Sequence, residues 1–264
     1  MPRNPMLMGA VAAVLAVAVV AVGGWYFFIR GDEPPPVSLA EAVSSVATPT
    51  GTVASEGAST GTATATSEGT AAPEATTAAG SVGAGATGDL SGTWTIDSAN
   101  SFVGYRIDEE LARVGSTTAV GRTSDVTGTL EFDGETITVV DVVANLQGLT
   151  SDDDRRDGQL QRQALETNEF PEATFVLAEP IAVEGDPASG EPIAAIAVGD
   201  LTIHGVTNRV EVALEGQLVD GQVIVVGSTV ILLADYDIDK PEAMSVLSVS
   251  DEATMEMQLV FTRA

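Results

Sequence analysis

No cysteine occurs in the 264 residues, and histidine occurs once. Without cysteine the chain has neither a disulfide framework nor a thiolate metal site, so an oxidising compartment is neither required nor excluded. Basic residues number 11 against 38 acids, a formal net charge of −27. Such a surface repels nucleic acid and anionic headgroups, which excludes partners held by phosphate neutralisation. Phosphate-cradling glycine loops of the Gly-x-Gly-x-x-Gly or Walker type are absent, and so is a Gly-x-Ser-x-Gly nucleophile elbow.

The groups that remain for chemistry are few. His204 stands alone at a strand end before a turn, with no second histidine or cysteine to share a metal, and a turn-stabilising role is expected. Asp152, Asp153, Asp154 and Asp157 invite a calcium reading, but an EF-hand alignment from Asp152 puts Arg156 at the fifth position and Asp157 at the glycine position. Helix capping accounts for them better. Asp235, Asp237 and Asp239 alternate on one face of an expected strand end, where a solvated rim is the default and a hard cation the alternative. No catalytic residue, metal or cofactor is expected, and the chain does not read as an enzyme.

What is present divides into three stretches. Residues 1–30 carry two arginines and no acids, and residues 31–90 carry seven acids and no bases. Within the first, Met6–Ile29 is an uncharged, mostly apolar run; as a helix its length would be ~36 Å, enough for a ~30 Å hydrocarbon core. It ends in Trp25-Tyr26-Phe27-Phe28, suited to a membrane interface. An uncleaved single-pass anchor with the C-terminal domain outside the cytoplasm is the expectation, and a cleaved signal peptide is the alternative. Residues 31–90 begin with Pro34-Pro35-Pro36 and continue in Ala, Thr, Ser and Gly, without an aromatic or basic residue. They are expected to form a disordered linker, because so little apolar surface cannot offset the entropy of ordering.

Residues 91–264 hold the folded domain. The second strand after the turn at Gly205 puts Val210, Val212, Leu214, Gly216 and Leu218 on one face and Arg209, Glu211, Ala213, Glu215 and Gln217 on the other. That period of two marks a half-buried strand. Asp133-Gly134 and Asp220-Gly221 signal hairpins. In all, about nine strand candidates merge to eight or so, interrupted by one helix over 151–167 that Ser151 or Asp152 would cap. Strands with a single helix point to a barrel or sandwich. Met255, Met257 and Leu259 alternate with polar neighbours, as do Leu130 and Phe132 around Glu131. An eight-stranded antiparallel barrel can admit one small ligand, and methionines would let its lumen adapt.

Several motifs occur in order from about Gly92 to Phe261. They are Trp94-x-Ile96-Asp97-x-x-x-Ser101-x-Val103-x-Tyr105, Gly121-Arg122-Thr123 with Val126-Thr127-Gly128, and Arg156-Asp157-x-x-Leu160. Phe170-Pro171-x-Ala173-Thr174-Phe175, Gly199 to Thr207 and Asp235-Tyr236-Asp237-Ile238 follow. In this the domain resembles the YceI-like family of lipocalin-like, polyisoprenoid-binding proteins. The resemblance implies an all-β, eight-stranded antiparallel barrel with one short helix against it and a lumen holding an isoprenoid, quinone or other long-chain lipid. It makes Phe102, Tyr105, Leu130, Phe132, Phe175, Ile203, Val212, Leu214, Met255, Met257 and Leu259 the lumen candidates. Where family members often carry histidine, this chain has Asn100, Glu109 and Gln159. An envelope domain that binds a protein partner without a lipid is the alternative function.

Overall fold

The computed structural model describes residues 33–47, 89–241 and 246–264. The expected membrane helix over Met6–Ile29 lies outside these residues; among the described residues no helix is long and apolar enough to cross a membrane. Two helices and eleven strands are labelled here in chain order. Helix α1 spans Leu39–Ala47, and strands β1 to β5 span Gly92–Ile96, Phe102–Leu111, Gly115–Thr123, Val126–Phe132 and Thr136–Asn145. Helix α2 spans Asp154–Gln159, and β6, β7 and β8 span Glu172–Leu177, Ile181–Ala182 and Ile193–Ile203. Strands β9, β10 and β11 span Val206–Val219, Gln222–Leu232 and Val246–Arg263.

All the strand pairs are antiparallel, and the order β1-β4-β5-β6-β8-β9-β10-β11 closes because β1 also pairs with β11. Strands β1 and β2 lie end to end along β11: Ile96 faces Phe261 and, after a short interruption, Phe102 faces Gln258. Strands β3 and β4 lie end to end beside them, with Thr123 opposite Val103 and Thr129 opposite Thr95. Counted as two long broken strands, these four make the barrel eight-stranded, with the short β7 added on β5. Closure through β1 and β11 removes most of the edge that an open sheet would expose; among the described residues β3, at the end of the strand order, pairs beyond β2 only through the Arg122–Thr150 bridge.

Sequence chemistry accounts for the turns. His204 and Gly205 both take positive φ, 53° and 74°, and Ile203 pairs with Val206 across them. Asp220 and Gly221 do the same at 49° and 80°, between Val219 and Gln222. Two consecutive positive φ values give the mirror-image turn whose twist matches the flanking strands. At Asp133-Gly134 the link is longer, and the Asp133 carboxylate accepts the amides of Glu135 and Thr136 at 2.9 and 2.7 Å.

Four expectations need correction. The strand candidates pass from Phe102–Ile107 to Val126–Phe132 with none at β3, and the expected helix over 151–167 is shorter and irregular. It is capped by Asp153, not Ser151 or Asp152, and α2 gives way to a π-helical segment over Leu160–Ala164. Asp235, Asp237 and Asp239 do not alternate on a strand, because β10 ends at Leu232 and a 3-10 turn follows over Leu233–Tyr236, with Asp237 at φ 53°. The largest departure is in the expected linker. Residues 33–47 are ordered against the outer wall of the barrel. Arg106 and Arg122 donate to the carbonyls of Pro34 and Pro35 at 2.7 and 3.2 Å, and the Glu33 carboxylate accepts from Thr117 and Thr118, both at 2.8 Å. Helix α1 then buries Leu39 and Ala42 against Ile224, Val226 and Val260, outward-facing residues of β10 and β11. Beneath this strap Glu256 is 2 % exposed and its carboxylate is held by Arg122 at 2.7 Å and Arg106 at 3.7 Å.

Candidate binding lumen

Strand alternation sends every second residue inward. On β11 these are Met255, Met257, Leu259 and Phe261; on β9 they include Val212 and Leu214; on β4 they include Leu130 and Phe132. They line three apolar cavities. The first, about 120 Å³, lies where Tyr105, Ile203 and Met255 meet Leu160 and Leu165 of the helical segment. The second, about 130 Å³, is lined by Phe175, Val212, Met257 and Leu259. The third, about 120 Å³, lies among Leu130, Phe132, Leu214 and Val223. Met255 and Ala173 border the first two, and Leu130, Ile137 and Leu214 border the last two, so the second sits between its neighbours. The lumen is a segmented apolar space divided by movable side chains. Each segment is a little smaller than the ~150 Å³ apolar cavity that stays dry and accepts a benzene-sized guest.

Glycines on the inner wall make room for the rings. A Cβ on Gly199 would come within 2.3 Å of the Phe175 ring, and one on Gly121 within 2.4 Å of the Tyr105 ring. Both rings therefore lie against bare backbone instead of standing across the lumen. The turn at His204 ties the covering segments to the barrel: its ring contacts the Tyr236 carbonyl at 3.2 Å and the Glu166 carboxylate at 3.1 Å, with Phe170 edge-on at 4.6 Å.

One end of the lumen is polar. Glu109 projects inward from β2, is 8 % exposed, and meets Arg156 of α2 at 2.6 Å beside the first cavity. Burial works to lower the Arg156 pKa, but the carboxylates of Glu109 and Asp152 outweigh it and hold the guanidinium above its ordinary value. Burial likewise pushes the Tyr105 phenol far above its usual range, so it stays protonated at any physiological pH. Asp157 pins the start of α2 by accepting the Ser151 amide at 3.0 Å and its hydroxyl at 2.6 Å. Among the described residues no group of three or more His, Asp or Glu is placed to hold a metal ion.

Ten of the eleven lumen candidates line these cavities, and Phe102 does not. Its ring lies on the outer wall under the Arg122 guanidinium, 4.3 Å from the ring centre. Sequence reasoning missed the Glu109–Arg156 pair as a unit. Its signal was an acid on the apolar face of β2 and an arginine opening the helix.

The profile described as YceI-like domain matches residues 94–261. Among solved structures, a polyisoprenoid binding domain from Saccharophagus degradans implicated in plant cell wall breakdown is similar at 18 % identity and a TM-score of 0.50, over 65 % of this chain and 98 % of that one. BcnA of Burkholderia cenocepacia is similar at 19 % identity and a TM-score of 0.50, over 62 % and 98 %. At these identities the two share the fold. No curated protein matches the chain at a significant level.

Proposed function

The chain belongs to the YceI-like domain family, and from that premise we propose that its barrel is a binding protein for a long-chain apolar lipid of the isoprenoid, quinone or acyl kind. The observation that carries the proposal is the run of three adjoining cavities, sharing wall residues, with almost wholly apolar walls and one charged end. Each enclosed methylene contributes ~0.8 kcal/mol, so a single five-carbon unit is worth a few kcal/mol gross. One unit per cavity would already give a useful affinity after the costs of association. Met255 and Met257 sit in the walls where a guest must push side chains aside, and unbranched thioethers repack at little cost. The polar end would receive whatever headgroup terminates the chain. The similar Saccharophagus degradans domain, named for polyisoprenoid binding, supports the class of ligand.

The proposal extends to place. Met6–Ile29 is read as a bilayer-crossing helix that holds the barrel on the outer side of a cell membrane.

Native mass spectrometry of the full chain purified from its host tests the lipid reading. A lipid adduct is expected on the natural chain. In Leu214→Trp it should be lost, because Leu214 borders both the second and third cavities. Ligand-free spectra of the natural chain, with lipid supplied, would remove the proposal.

A further inference from the structure

We infer that the β2–β3 corner of the barrel rests on the bilayer that the N-terminal run enters, so that the charged end of the lumen faces lipid. This inference relies on the membrane reading proposed above, and goes beyond it by fixing an orientation and a contact surface.

The starting point is where the ordered strap begins. The Glu33 carboxylate is bound to Thr117 and Thr118 on β3, two to three residues from the hairpin end at Gly115. At ~3.3 Å per strand residue that is ~7–10 Å from the tip. The apolar run ends at Ile29, so the chain from Ile29 to Glu33 can extend at most ~14 Å. A barrel fixed to residue 33 cannot swing away from a membrane that holds residue 29. The spacer drawn from the sequence leaves the barrel at a distance; the strap brings it to the surface.

The corner so placed has the right chemistry. Val114 in the β2–β3 turn is 55 % exposed, and Leu247 at the start of β11 is 64 % exposed. Val246 pairs with Leu111 and Leu111 with Gly115, which brings the two residues to one corner. Leu247 is pushed out by a register shift between Val246 and Ser248, a device that re-aims a side chain. Two apolar side chains projecting beyond the end of a closed barrel suit shallow insertion at the headgroup boundary. The same corner adjoins the first cavity, whose wall includes Glu109, Pro241 and Val249. Lipid leaving the bilayer would therefore meet the charged end of the lumen first. The net charge of −27 makes a zwitterionic surface the fitting partner.

The chain contains no cysteine, so single probes can be placed cleanly. Val114→Cys, Leu247→Cys and, at the loop bordering the third cavity, Asp186→Cys would each carry a nitrobenzoxadiazole label on the full chain in phosphatidylcholine vesicles. Spin-labelled lipid should quench the probes at 114 and 247 several-fold more than the probe at 186. Ala42→Glu, which puts a charge under a fully buried α1 residue, should reduce the first two to the level of the third while the chain still floats with the vesicles. Equal quenching at all three positions in a floating chain would overturn the orientation and leave the anchor standing. Persistent quenching in Ala42→Glu would overturn the role of the strap. A chain that does not float would overturn the anchor and the orientation together.

Discussion

At the scale of single residues, the lumen is decided by parity. Phe102 and Tyr105 are three apart on one uninterrupted strand, so they cannot share a face; Tyr105 is inside and Phe102 outside under Arg122. That constraint was legible in the sequence, and aromaticity alone is what misplaced Phe102. Met255, Met257 and Leu259 line the second cavity, in step with their alternation against Glu256 and Gln258. The Glu109–Arg156 pair was not legible, since 47 residues separate its members and only the packing of α2 across the barrel end joins them. Its energetic role is testable. Arg156→Ala leaves the nearly buried Glu109 carboxylate without its charged partner, and a loss of about 2 kcal/mol is expected, reduced from the full buried-pair value by the partial exposure of Arg156. Replacing both, as Glu109→Leu with Arg156→Met, should recover most of that loss. Urea midpoints of the natural chain and the two variants decide it: an equal loss in the double variant would mean that the pair's shape, not its charge balance, matters.

At the scale of elements, two were hidden for different reasons. Strand β3 reads Gly-Ser-Thr-Thr-Ala-Val-Gly-Arg-Thr, and its inward positions opposite Ile107 and Tyr105 are Ala119 and Gly121. Small residues there accept the Tyr105 ring, and smallness erases the apolar alternation by which strands are recognised. Helix α1 had its signal in full. Ser38 and Glu41 have the spacing of a capping box, the Ser38 hydroxyl accepts the Glu41 amide at 3.4 Å, and Leu39, Ala42, Val43 and Val46 fall at helical spacing. Embedded in an Ala, Thr and Ser tract after three prolines, the pattern was absorbed into the composition around it. Its worth follows from burial: Leu39 is 5 % exposed, and truncating a side chain packed at the edge of a core costs about 2 kcal/mol. Leu39→Ala is therefore expected to raise hydrogen exchange of the α1 amides about thirtyfold, the factor that 2 kcal/mol represents, while the β4 and β5 amides on the far wall keep their rates. A uniform rise across the barrel would mean that α1 belongs to the global folding unit instead of docking on it.

At the scale of the whole molecule, the ordered strap over residues 33–47 poses a question about length that the spacer reading did not contain. On either side of residues 48–88, Ala47 closes a helix docked on β9 and β10, and Asp89 accepts the Ser91 amide at 2.9 Å just before β1. The composition between them reads as a spacer leading to the barrel, whereas the residues that flank it, Ala47 and Asp89, lie on one body. A spacer and a loop returning to the barrel respond oppositely to length. For a spacer, shortening brings the barrel closer to the membrane and leaves its stability alone. For a loop with so little apolar content that it gains nothing by ordering, closure entropy scales as (3/2)RT ln n, so halving it should stabilise the docked state by ~0.6 kcal/mol. On the orientation proposed above, energy transfer from a dye at Val114→Cys to acceptor lipid should meanwhile stay constant, because the contact of Glu33 with Thr118 precedes that stretch in the chain. Deleting 20 or so residues from within 48–88 and measuring both quantities separates the cases. Constant transfer with a small gain in the denaturation midpoint fits a returning loop; transfer that rises as the stretch shortens, at unchanged stability, would restore the spacer and detach the strap from any part in positioning the lumen.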